Sequence, residues 1–193
     1  MSEFNVQVDA GSSIRLPTAG KYCDKNIVVS CNGVSDDVLQ SLLTRNLTTI
    51  AFPDGIKSIG AYAFCWCRKL NLQSLPDSVT SIGTYAFSEC DELTLAVLPP
   101  NLKSFSSYAF KDCPKLAITS IPKSVVNIYA GAFSNCDSLT ELTFEGTPTT
   151  IEKTVFSGCD NLLTINVPWA EGEVANAPWG ATNATINYNY TGG

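Results

Sequence analysis

Residues 67–89 read CRKLNLQSLPDSVTSIGTYAFSE, and residues 90–112 read CDELTLAVLPPNLKSFSSYAFKD. Set one above the other, they share Cys, Leu, Pro and Tyr-Ala-Phe at the same offsets. Two more copies follow, CPKLAITSIPKSVVNIYAGAFSN over 113–135 and CDSLTELTFEGTPTTIEKTVFSG over 136–158. A degenerate copy precedes them, TRNLTTIAFPDGIKSIGAYAFCW over 44–66, with Thr44 at the cysteine position, and a partial one, CDNLLTINVP, begins at Cys159. The step is 23 residues throughout. A fixed period of this size predicts a solenoid, in which each turn of chain covers the apolar faces of its neighbours.

The apolar phases say how one coil is built. Three residues after the cysteine stands Leu47, Leu70, Leu93, Leu116, Leu139 or Leu162. Eight after it stands Phe52, Leu75, Leu98, Ile121, Phe144 or Val167, and fifteen after it Ile59, Ile82, Phe105, Ile128 or Ile151. Around Leu142-Thr143-Phe144 apolar and polar residues alternate, as a half-buried strand requires. Like segments one coil apart predict a parallel sheet with strands about 4.8 Å apart. Pro53, Pro76, Pro99, Pro122 and Pro168 would end the pairing. A second short extended piece, Val79–Ile82, is expected on the opposite side. Gly60 and Gly83 would then admit a turn into a short helical stretch carrying Ala-Phe.

The fold class expected is an α/β leucine-rich-repeat solenoid, with a parallel β-sheet on the concave side and short helical or extended segments on the convex side. The pattern L-x-x-(I/L)-P-x-x-(V/L)-x-x-I-G-x-x-A-F-x-x-C over roughly residues 44–168 resembles the BspA-like class of bacterial leucine-rich repeats. The resemblance implies a curved, right-handed solenoid and association with bacterial surfaces and adhesion to proteins or host cells.

One irregularity bears on binding. Two later copies place Leu142 and Ile165 six residues after the cysteine, whereas three earlier ones place Leu72, Leu95 and Ile118 five after it. Since side chains alternate along a strand, a one-residue shift would turn those three outward as an exposed apolar stripe. A local bulge that returns them to the core is the simpler reading. Positions seven after the cysteine, Ala51, Ser74, Val97, Ser120, Thr143 and Asn166, are expected on the outer face of the sheet. Ser74, Val97, Ser120, Thr143 and Asn166, with Leu72, Leu95 and Ile118, form the candidate binding surface.

Composition narrows the chemistry. The chain of 193 residues carries a formal net charge of −6, which argues against nucleic acid as a partner. No apolar run is long enough for membrane insertion as a helix. The N-terminal MSEFNVQVDAGSS lacks the regions of a secretory signal, so localisation stays open between extracellular, cell-surface and virion-associated. There is no histidine, which removes the usual nucleophile–base pairs and histidine metal sites. No phosphate-cradling glycine loop is present, and neither cofactor nor metal is expected. The expectation is that the protein is not an enzyme. Five of the eight cysteines, from Cys67 to Cys159, keep one phase, which favours free buried thiols over a disulfide ladder. Whether Cys23 and Cys31 pair is left open.

Three parts are expected: residues 1–34 as a small β-rich N-terminal element, residues 35–168 as the solenoid with an N-terminal capping helix, and residues 169–193 as a C-terminal cap. The regular repeat is lost after Val167, and Trp169 and Trp179 would cover the last coil. Their alternative role is an aromatic platform for sugars. The segments LPTAGKYCDKNIVVS and VPWAEGEVANAPWGATNATINYNY resemble terminal stretches of phage tail-associated proteins. The function expected is that of a non-enzymatic binding or adhesion protein for a protein or cell-surface ligand, encoded in a phage or prophage. The alternatives are a carbohydrate-binding module and an architectural virion or tail accessory protein.

Overall fold

Among the described residues nine strands of twelve come from the 23-residue repeat, and the strands pile into two parallel stacks. The computed structural model describes residues 47–192 except 53 and 54, together with the backbone of two short strands nearer the N-terminus. The strands are β1 (Ser13–Arg15), β2 (Asn26–Ile27), β3 (Thr49–Ala51), β4 (Ser58–Ile59), β5 (Ser81–Ile82), β6 (Ser104–Phe105), β7 (Ser120–Ile121), β8 (Asn127–Ile128), β9 (Glu141–Phe144), β10 (Thr150–Ile151), β11 (Thr164–Asn166) and β12 (Thr185–Asn187). One sheet runs β2-β4-β5-β6-β8-β10. On the other side lie β7-β9-β11-β12 and the pair β1-β3, with a single bridge, Ser74 to Val97, between them. All pairings are parallel, and from β4 to β11 each links residues 23 apart, such as Ile59 with Ile82 and Leu142 with Ile165. The N-terminal strands join the same stacks, β1 alongside β3 and β2 alongside β4. The expected capping helix over residues 35–43 lies outside the described residues.

The interior is a set of columns. Phe64, Phe87, Phe110, Phe133 and Phe156 are fully buried and stack face to face, with centroids 5.2, 5.2, 5.6 and 5.7 Å apart. Burying one such ring stabilises the fold by about 1.5–3 kcal/mol, so the column is a main source of stability. The cysteines make a second column. Cys90, Cys113, Cys136 and Cys159 donate their S–H to the carbonyls of Phe64, Phe87, Phe110 and Phe133 at 2.9–3.2 Å. The six described cysteines are all buried. Cys23 and Cys31 lie outside the described residues.

The expected helical stretch at Ala-Phe is not there: among the described residues there is no helix. Its place is taken by tight turns, for a reason visible in the backbone. Tyr62, Tyr85 and Tyr108 take φ of 59°, 53° and 59°, and four residues on Trp66, Glu89 and Asp112 take 65°, 57° and 57°. Left-handed residues every few positions break a right-handed helix. The N–H groups then alternate. Ala63, Cys65 and Cys67 donate three residues back, to Gly60, Tyr62 and Phe64. Tyr62, Phe64 and Trp66 donate across to Thr84, Ala86 and Ser88 of the next coil at 2.7–2.9 Å. A helix would close every donor within one coil; this turn spends alternate donors on stacking.

The shifted apolar phase also has a structural consequence. Leu72, Leu95 and Ile118 are buried, and so are Leu75, Leu98 and Ile121 three residues on. Two outward residues therefore stand between two inward ones, which interrupts strand alternation. Pairing shrinks accordingly to a lone bridge at Ser74–Val97 and to the two-residue β7. Where Leu142 keeps the regular phase, β9 runs for four residues with clean alternation. The outward apolar stripe is thus corrected: the chain bulges and the three side chains return to the core.

At the C-terminal end the repeat persists further than its sequence suggests. Trp179 stands 23 residues after Phe156, is fully buried, and its carbonyl accepts the Phe156 N–H at 2.9 Å. It holds the sequence phase and the backbone bond of the next phenylalanine, while its ring packs on Phe144 and Trp169. Trp169 and Trp179 pack edge to face at 6.1 Å, and Phe144 contacts both. β12 supplies the strand of this coil, paired to β11 at an offset of 21. On the other side no strand follows β10 among the described residues; the Asn176 amide donates to the Ile151 carbonyl at 3.0 Å in its stead.

Candidate functional site

The row seven residues after the cysteine divides into two halves. Ser74 is exposed and Val97 is 65% exposed, the most open large apolar side chain among the described residues. Further along, the row closes into a polar ladder. Ser120 donates to Glu145 Oε1 at 2.7 Å. Asn166 donates to Glu141 Oε1 at 2.8 Å and to Thr143 Oγ1 at 3.2 Å, and accepts from Asn187 Nδ2 at 2.8 Å. Asn166 is 2% exposed, so it is removed from the candidate contact residues; its amide is occupied in joining coils. Leu72, Leu95 and Ile118 leave the surface as well. The side chain of Ala51 lies outside the described residues. What survives of the expected surface is Ser74, Val97, Ser120 and Thr143.

Trp169 and Trp179 are buried as a cap requires, which removes their alternative role as a sugar platform. With Trp169 at 3% and Trp179 at 0% exposure, neither ring presents a face to a ligand. The exposed aromatics are elsewhere. Tyr62 and Trp66, 55% and 51% exposed, sit on one turn with Arg68 just beyond. The Arg68 guanidinium bridges Glu89 at 2.8 Å and Asp91 at 3.3 Å in the next coil. Tyr62, Tyr85 and Tyr108 stack with centroids 5.2 and 4.9 Å apart, so their inner faces are covered by one another. Sequence reading missed this cluster although the signal was there. Trp66 occupies the phase held in later copies by Glu89, Asp112, Asn135 and Gly158, which is a polar, outward phase.

Beside it, Asp112 accepts from Lys111 Nζ and from Asn135 Nδ2, both at 2.6 Å. Burial works to raise the Asp112 carboxyl, but these two donors outweigh it and hold the carboxyl below its ordinary value. Three of the thiols behave oppositely. Burial pushes Cys65 up to about 11 and Cys67 and Cys113 up to about 12, which suits packing and not nucleophilic chemistry. Among the described residues no group of three or more Cys, Asp or Glu is placed to hold a metal ion.

The BspA type leucine-rich repeat region matches residues 35–163 in six copies. The chain belongs to this family. A leucine-rich repeat protein from Bacteroides ovatus is 31% identical with a TM-score of 0.60, over 80% of this chain and 39% of that one. The T. pallidum leucine-rich repeat protein is 28% identical with a TM-score of 0.56, over 74% of this chain and 70% of its own. This BspA-type chain thus spans well under half the length of the Bacteroides ovatus protein. No curated protein matches the chain.

Proposed function

We propose that this BspA-type solenoid is a non-enzymatic binding or adhesion protein whose outer surface engages a protein or cell-surface partner. The observation that carries the reading is the turn of Tyr62, Trp66 and Arg68, which puts two half-exposed aromatics and a guanidinium on one edge of a rigid stack. These are the residue types that anchor protein interfaces. Val97, flanked by Ser74 and Ser120, supplies a second, flatter contact on the sheet. Neither surface converges groups for covalent chemistry, and an acidic chain has no basic track for nucleic acid.

The test is adhesion of chain-coated beads to cultured cells, with albumin-coated beads as reference. Trp66→Ala and Val97→Glu, confirmed folded by circular dichroism, are expected to reduce adhesion at least about tenfold for a central anchor. Adhesion no greater than that of albumin overturns the proposal. A second reading is an architectural component of a phage particle or tail. It is supported by strand edges at both ends of the solenoid, β1 and β12, that have one partner each among the described residues. Neighbouring genes without tail or lysis functions would remove it.

A further inference from the structure

Trp66 heads a row that repeats once per coil. Glu89, Asp112 and Asn135 follow it at steps of 23 residues. All four take left-handed φ, 65°, 57°, 57° and 58°, so their side chains leave the stack in one direction. Their N–H groups donate to the carbonyls of Ser88, Lys111, Ser134 and Ser157 in the next coil at 2.7–2.9 Å, which holds the row in register. Trp66 and Asn135 at its ends are exposed, and Glu89 and Asp112 between them are half-buried. Tyr62, on the same turn as Trp66, adds a second exposed ring.

The polar groups of this row are held in place by one another. Asp112 accepts from Lys111 and from Asn135, and Glu89 accepts from Arg68, which also reaches Asp91. Lys115 is paired with Glu92 one coil back. These are the four ion pairs found among the described residues, and they set three cations against four carboxylates. The strip is therefore dense in hydrogen-bonding groups yet nearly neutral. A strongly charged partner gains little from such a surface, because each cation it would meet already has its carboxylate. What suits it is a ligand that is uncharged, rich in hydroxyls, apolar on one face and repetitive along its length. An extended sugar chain has those properties. The C–H face of a pyranose ring lies against an aromatic ring, and its hydroxyl rim exchanges hydrogen bonds with carboxylates and amides. Side chains that already hold one another lose little freedom when the ligand arrives.

We propose that Trp66, Glu89, Asp112 and Asn135 form a binding strip for an extended, uncharged oligosaccharide, with one sugar ring stacked on the Trp66 indole and the following rings running along the row. This names the partner chemistry for the turn of Tyr62, Trp66 and Arg68, and it rests on the adhesion reading.

The experiment titrates the full chain with cellohexaose, mannohexaose and chitohexaose, read by calorimetry and by tryptophan emission. Trp66 is the one exposed tryptophan of the three, so a bound sugar should shift its emission to the blue and shield it from acrylamide. At least one hexasaccharide is expected to bind, with an affinity that changes less than about twofold between low and high salt. Trp66→Ala should abolish the heat of binding, and Trp66→Tyr, which keeps a ring, should restore part of it. Asn135→Ala leaves the reporter in place and should weaken binding about tenfold. No heat with any of the three sugars at millimolar concentration, binding undiminished in Trp66→Ala or Asn135→Ala, or binding that falls steeply with salt would each overturn the proposal. Adhesion that depends on Trp66 but is inhibited by none of these sugars overturns the sugar assignment alone. Sugar binding without adhesion upholds the assignment and removes the adhesion reading.

Discussion

The thiol of Cys113 donates to the carbonyl of Phe87, one coil back, at 3.0 Å. Because Phe87 lies in the ring column and Cys113 in the cysteine column, this bond ties the two internal columns together. Cys113→Ala removes the donor and leaves a sulfur-sized void. The expected cost is about 1–3 kcal/mol, read as a shift of the urea midpoint at unchanged slope. In a variant with Cys23→Ser and Cys31→Ser, a thiol reagent should modify none of the six remaining cysteines until the chain is unfolded. Rapid labelling of the native protein would contradict the buried column.

The same thiols make stability depend on alkaline pH. Burial holds Cys67 and Cys113 at about 12 against an ordinary value of 9.0. Below 9 both folded and unfolded chains keep these protons, and the stability contribution is fully present. As pH rises from there toward 12 the unfolded chain ionises first, so stability falls by about 1.4 kcal/mol per pH unit for each of these two thiols. Urea midpoints should decline from about pH 9 upward, and less steeply in Cys113→Ala. A midpoint with the same alkaline slope in both proteins would contradict the assignment.

The tyrosine stack stops at a glycine for a steric reason. Gly131 continues the phase of Tyr62, Tyr85 and Tyr108 with a φ of 62°, and a Cβ there would overlap the Tyr108 ring. Gly131→Ala should lose about 1–3 kcal/mol through backbone strain and displacement of that ring. Most of the ring term should vanish in a Tyr108→Ala background. A double-mutant cycle showing no coupling would mean that the ring moves aside freely.

Asn176 closes the sheet that ends at β10. Its amide meets the Ile151 carbonyl where a further strand would have supplied a backbone N–H. Asn176→Ala should cost about 1–2 kcal/mol and raise hydrogen exchange locally at Thr150 and Ile151. Uniform exchange across all coils would argue against an end-capping role.

Most of this architecture was legible because repetition multiplies weak signals. A lone Phe in a turn says little, but Phe87, Phe110 and Phe133 at one phase can only be a column. The strands, the buried thiols and the family followed from the same alignment. The turn conformation was not legible from Ala-Phe, since a short apolar segment after Gly60 also suits a helix. What decided it was the demand of neighbouring coils for alternate donors, and only Asn135 and Gly158, both tolerant of left-handed φ, hinted at it. Leu95 defeated simple alternation because burial outweighed regular pairing. Trp179 went unrecognised at the phenylalanine phase because residues 169–178 share no other landmark with the earlier copies. The binding surface was only half readable: Val97 was found from its phase, whereas Trp66 was overlooked.

The constant register has a genetic corollary. A duplication or loss of 69 nucleotides within the gene, one whole coil, returns every ring, thiol and strand to an equivalent neighbour, so chain length can drift without rebuilding the interior. An insertion that is not a whole number of coils shifts the side chains that follow it out of their columns. The step of 21 between β11 and β12 sits at the final pairing of its sheet, where no further described coil has to match it.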